Sequence, residues 1–183
     1  MVLQKLQGLN PMLTYHRMEH TIDVVSQAER IAKEEGVREP GKLRLLKIAA
    51  LYHDTGFLHT YAHHEERSCE IFLADAPSLG LDENEQQQIV ELIMATKIPQ
   101  NPVTHLQQIL CDADLDYLGR SDFFTIGNSL KEEFLHFSII KTEEEWLELQ
   151  ARFLSNHHYH TKSSRTEREH VKKLNIQKLN ELN

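Results

Sequence analysis

Apolar residues recur at close to helical period along most of the chain. Ile22, Val24, Val25, Ala28, Ile31 and Ala32 form one stripe, and Gly36 supplies a C-terminal stop, so the pattern predicts a helix over 16–35. From Lys42 to Tyr52 the run Leu43, Leu45, Leu46, Ile48, Ala49, Ala50, Leu51 is apolar on nearly every side and rich in helix formers. It predicts a central buried helix that ends near His53-Asp54-Thr55-Gly56. Further helices are expected at about 64–76, 83–96, 104–118, 122–137, 143–156 and 164–181. Asp82 with Glu85 and Thr142 with Glu145 carry the acceptor-then-acid signature of a capped first turn, and Pro99 and Pro102 break the chain between two helices. No segment alternates convincingly as a strand would. The predicted fold is all-α, a compact bundle of about eight helices.

A length of 183 residues suffices for one sizeable core, and its 7 Gly and 5 Pro form no linker-like stretch. Residues 1–183 are therefore expected to be a single domain. The formal net charge of −8 repels polyanions at long range, which argues against nucleic-acid duplexes as partners but leaves room for a small phosphate ester. Cys69 and Cys111 sit in apolar helical patterns outside any CxxC pair and read as core residues of a reducing compartment. Residues 1–8 lack the basic start and apolar run of a secretory signal, and no later run approaches the length of a membrane span. A cytoplasmic protein without membrane contact is expected.

The 12 histidines change the picture, because His16, His20, His53, His59, His63 and His64 all fall early in the chain. His16 and His20, at i and i+4, would share one helix face. His53-Asp54 ends the most apolar helix, where a desolvated carboxylate needs a partner. A divalent cation held by imidazole and carboxylate would serve, and so would a hydrogen-bonded His-Asp cap; the mixed donor set suits a transition metal better than calcium. The segment Gln108–Gly119 places Asp112, Asp114 and Asp116 in an otherwise apolar helix, which simple solvation explains for one or two of them but hardly for three. Met12, Met18, Phe72, Phe123, Phe124 and Trp146 lie at helix-like spacings and are assigned to the core, and Glu143–Glu145 to a solvated first turn.

The ordered set of a histidine, a His-Asp doublet and a distant aspartate resembles the HD superfamily of metal-dependent phosphohydrolases, over roughly residues 15–120, with 121–183 as C-terminal helices. The resemblance implies His20, His53, Asp54 and a last aspartate as metal ligands. Asp112 is chosen for that position because Leu110, Cys111 and Tyr117 supply the apolar flanks usual there, while the Asp-Ala-Asp pattern of some members points to Asp114. His16 is similar to the histidine of the Tyr-His-Asn stretch of cyclic-nucleotide phosphodiesterases, which protonates the leaving oxygen; Arg17 replaces the Asn. Phe57 stands where 5′-nucleotidase-like members carry a catalytic Glu, and Thr96-Lys97 near the His-His pair of cyclic-dinucleotide members, so neither activity is carried over.

The implied protein is a hydrolase that splits a nucleotide or related phosphate ester with metal-activated water, His16 and Asp54 being catalytic. Manganese is the expected metal, with iron, nickel, cobalt and magnesium compatible with the same ligands. His64 is a candidate further ligand or substrate contact, and Lys97, with the 156–161 loop and Arg165, a candidate contact to phosphate or base. Capping and a polar loop explain these residues equally well. The competing reading is a sensor or partner-binding module that holds metal and nucleotide without turnover; a metal-storage site is a third.

Overall fold

The computed structural model describes residues 2–182, and among them nine α-helices and two 3-10 turns form, with no strand. In chain order the helices are α1 (Val2–Leu6), α2 (Met18–Glu34), α3 (Pro40–Tyr52), α4 (His64–Leu79), α5 (Glu83–Ala95), α6 (His105–Asp114), α7 (Phe123–His136), α8 (Glu143–Asn156) and α9 (Lys162–Leu182). The 3-10 turns are Thr55–Leu58 and Asp116–Gly119. The eight expected helices are present, and α1 is additional. None of the described helices is long and apolar enough to cross a membrane.

The amphipathic stripes do what their spacing implies. Val24, Ala28, Ile31 and Ala32 of α2, Ala49 and Ala50 of α3, Phe72 of α4, Ile89 and Ile93 of α5 and Ile109 and Leu110 of α6 pack into one apolar cluster. A second cluster joins Tyr15, Tyr117, Leu118, Phe123, Leu154 and Leu179. Ala113 belongs to the first and Leu115 to the second, so Asp114 falls on the seam between them. Gly36 ends α2 with φ +79°, a conformation that costs a glycine nothing, and the Val37 N–H reaches back to the Ala32 carbonyl at 2.9 Å. Asp82 and Glu85 cap α5 reciprocally, as expected. Cys69 and Cys111 are buried thiols, and burial pushes the Cys69 pKa up to about 11. Met12, expected in the core, lies exposed in the turn ahead of α2.

Gly56 is fixed by a close approach. A Cβ there would lie 1.9 Å from the His64 carbonyl oxygen, so only glycine lets the Thr55–Leu58 turn press against the start of α4 and set His64 beside Asp54.

The joint between α8 and α9 carries a partly buried titratable residue, His157. The His157 Nε2 is buried without a hydrogen-bonding partner, and the Lys172 ammonium donates to the His157 carbonyl at 2.7 Å. Burial first, then the Lys172 charge, pulls the His157 pKa down to about 3 from 6.5. Between those values the unfolded chain carries a proton that the folded one refuses. Stability is therefore complete above 6.5 and is lost as pH falls toward 3. Lowering pH from about 7 to about 5 is expected to cost the wild type about 1–2 kcal/mol more than His157→Gln, measured by urea denaturation. Equal losses in the two proteins would show that His157 is not the cause.

Candidate metal centre

Three elements bring four side chains together at the seam between the apolar clusters: α2 supplies His20, the end of α3 supplies His53 and Asp54, and the last residue of α6 is Asp114. The His20 Nε2 stands 3.2 Å from Asp54 Oδ2 and 3.2 Å from Asp114 Oδ1. The His53 Nε2 stands 3.1 Å from Asp54 Oδ2, 3.5 Å from Asp114 Oδ1 and 3.4 Å from His20 Nε2. Since a carbonyl can only accept, the His53 Nδ1 must carry the hydrogen it donates to the Ala50 carbonyl at 2.8 Å. That bond leaves the neutral ring's Nε2 as a bare lone pair aimed into the cluster.

The arrangement asks for positive charge. Burial alone would drive the two imidazoles to their neutral forms, but the flanking Asp54 and Asp114 carboxylates outweigh it and raise His20 to about 9 and His53 well upward. Burial likewise pushes both carboxyls up, and the two imidazoles pull them back below the usual carboxylate range. The Asp54 Oδ2 is buried and has no well-directed hydrogen bond. One ligand atom each from His20, His53 and Asp114 lies within 4.8 Å of the others, and Asp54 Oδ2 borders both ring nitrogens. Two imidazole nitrogens and two carboxylates around an unsatisfied buried oxygen fit a divalent transition metal.

The other oxygen of Asp54 faces a different group. His64 Nε2 lies 3.5 Å from Asp54 Oδ1 and 3.5 Å from the buried Glu65 carboxylate, while His64 Nδ1 donates to the Tyr61 carbonyl at 3.3 Å. Phe57 packs against two imidazoles, 4.2 Å from the His16 ring and 4.0 Å from the His64 ring. It braces both rings.

His16 departs from its predicted placement. It precedes α2 instead of lying on it, because the Tyr15 and His16 N–H groups both donate to Glu133 Oε2, at 2.9 and 3.0 Å. Glu133 Oε1 accepts from His16 Nδ1 at 2.5 Å and from the Tyr61 hydroxyl at 2.8 Å. This carboxylate is fully buried; burial raises its pKa, and these bonds more than offset the rise and hold it ionised. Glu133 did not emerge from the sequence reading. Its signal was a carboxylate on the inward stripe of α7, in register with Phe123, Ile126 and Leu130.

Two expected site residues lie elsewhere. Asp112, chosen above as the last ligand, is fully buried away from the cluster, where its oxygens accept from the His160 N–H, the Thr161 N–H and the Thr161 hydroxyl at 2.7–2.8 Å. Two residues along an α-helix are about 200° apart around the axis, so Asp112 and Asp114 cannot face the same neighbours. Asp116 points in a third direction and binds Arg30 at 2.7 Å and Arg168 at 2.9 Å. Each of the three carboxylates thus has its own compensation. Lys97 ion-pairs with Glu66 at the surface and does not enter the site. Arg165 donates to the His160 carbonyl, which makes it part of the loop's own structure.

His16, Asp54, His64, Glu65 and Asp114 form one end of a cavity of about 320 Å³. Its far walls are Leu130 and Phe134 of α7 and Trp146, Leu149 and Phe153 of α8. Trp146, assigned to the core from sequence, is buried and also bounds this space.

Comparison with known proteins gives two matches. The HD domain profile matches residues 17–116. The crystal structure of a predicted HD superfamily hydrolase from an uncultured Thermotogales bacterium aligns with a TM-score of 0.62 at 21% identity, covering 99% of this chain and 88% of that one. At that identity the likeness concerns the fold. Curated proteins yield no match.

Proposed function

The chain belongs to the HD domain family, a superfamily of metal-dependent phosphohydrolases, and from that premise we propose that it hydrolyses a small phosphate ester at the His20–His53–Asp54–Asp114 cluster. The carrying observation is that both Nε2 atoms converge on Asp54 and Asp114, and that these two carboxylates border a cavity that His16 also lines. A divalent cation, for which the donor set permits manganese, iron, nickel, cobalt or magnesium and of which manganese is proposed, supplies Lewis acidity and an activated water when bound. The chain's own residues do the rest. Glu133 holds the His16 Nδ1, which directs the other ring nitrogen to hold a proton for the departing oxygen. Asp54 would help hold the metal, His64 orients the ester, and the apolar walls keep bulk water out.

Chelator-treated protein is expected to lose at least about 100-fold in turnover of a phosphate ester panel and to regain it on manganese addition, with close to one metal or more per chain by elemental analysis. Full turnover in the stripped protein would overturn the proposal. Tight binding of metal and nucleotide with no turnover of any ester would instead favour the sensor reading.

A further inference from the structure

The cavity walls carry a second message, about the part of the substrate that is not phosphate. Beyond the cluster the lining turns to Leu118, Leu130, Phe134, Trp146, Leu149 and Phe153. Among the described residues no lysine or arginine lines it. The cations nearby in sequence are committed elsewhere: Arg17 to Glu19 at 3.3 Å, Arg120 to Asp23 at 2.7 Å, and Lys97 to Glu66. Arg152 lines an adjoining surface pocket with His158 and His160 instead. The fixed charges that do face the space are the carboxylates of Asp54, Glu65 and Asp114. A polyphosphate would bring several further negative charges for which the lining, beyond the metal and the His16 and His64 imidazoles at the cluster, holds no cation, an expensive burial. Among the apolar side chains of α7 and α8 that line the cavity stands one polar one, Gln150, 8% exposed, whereas the Thr96 hydroxyl on the facing wall already donates to the Ile93 carbonyl at 2.8 Å. The Gln150 Nε2 packs against Gly127 of α7, which fixes the amide at the cavity edge as the group that meets a ligand's single polar group.

Resting on the hydrolase reading above, we infer that the substrate is a phosphate monoester of a largely apolar alcohol bearing one hydrogen-bonding group, and not a nucleoside polyphosphate. Water adds its oxygen to phosphorus, the bond from phosphorus to the alcohol oxygen breaks, and a proton goes to that oxygen, releasing the alcohol and inorganic phosphate.

The test is a series of n-alkyl phosphates, ethyl to octyl, with the manganese-loaded protein, alongside binding of the matching alkyl phosphonates, which cannot be hydrolysed at that bond, by calorimetry. Burial of each methylene predicts about a fourfold rise per carbon in kcat/KM and in phosphonate affinity until the cavity is filled. Leu149→Gln should flatten the slope, and Gln150→Leu should improve plain alkyl esters while weakening those with a hydroxyl or amide near the chain end. Phosphonate affinity independent of chain length, or nucleoside triphosphates preferred to octyl phosphate, would overturn the inference. A steep phosphonate series with no hydrolysis of any ester supports this cavity assignment and defeats the hydrolase reading alone. Hydrolysis with a flat phosphonate series does the reverse.

Discussion

Asp114→Ala is expected to weaken metal binding by more than about 100-fold, whereas Asp112→Ala should leave it within roughly tenfold, because only the first removes a donor from the cluster. Asp114 Oδ1 lies 3.2 Å from the His20 Nε2, while both oxygens of Asp112 are occupied by the 160–161 backbone and the Thr161 hydroxyl. The cost of Asp112→Ala falls on the fold. It strands the buried Thr161 N–H and the partly buried His160 N–H, while the Thr161 hydroxyl keeps Ser163 Oγ at 3.4 Å, an expected loss on the order of 2–6 kcal/mol at about 1–3 kcal/mol for each of the two N–H groups left unpaired. Competition titration against a chelating dye reads the first quantity and urea unfolding the second. If Asp112→Ala strips the metal and Asp114→Ala does not, the ligand assignment is wrong.

Those two aspartates also show where sequence reading stops. His20 and the His53-Asp54 doublet were legible because a charged pair at the end of an apolar helix has few explanations, and each sits on an element whose stripe fixes its orientation. The helices were legible for the same reason. Choosing between Asp112 and Asp114 needed to know what packs on each side of α6, and that is decided by the Thr161 loop, which arrives 49 residues later. Glu133 was hidden by an equal cause: its partners Tyr15 and His16 lie 118 and 117 residues away, so a single inward carboxylate on α7 showed no motif. His16 was misplaced onto α2 because the i, i+4 spacing reads as helical, whereas a buried acceptor holds that stretch of backbone out of the helix. Lys97 kept its charge at the surface because Glu66 lay within reach.

His16→Ala is expected to keep metal content and ligand affinity and to lower turnover of alkyl esters by roughly 10²–10⁴-fold, the usual worth of a positioned proton donor. An alkoxide is a poor leaving group and needs that proton as its bond to phosphorus breaks, whereas an activated aryl phosphate departs as a stabilised anion. The same substitution should therefore slow the aryl ester far less. Glu133→Gln extends the argument to a residue that touches no substrate. Its Oε1 holds the His16 Nδ1 and its Oε2 the two N–H groups ahead of α2, so an amide in its place presents a donor where an acceptor is required. The imidazole then loses the bond that fixes its tautomer and aim, and alkyl-ester turnover should fall by roughly 10–10³-fold while the aryl ester is again spared. A merely structural role for Glu133 would slow both esters together and lower metal content with them. Equal slowing of both esters in His16→Ala, with the metal retained, would likewise remove His16 as the proton donor. If both variants spare the aryl ester in the same ratio, the pair acts as one unit: Glu133 aims the ring and His16 delivers the proton.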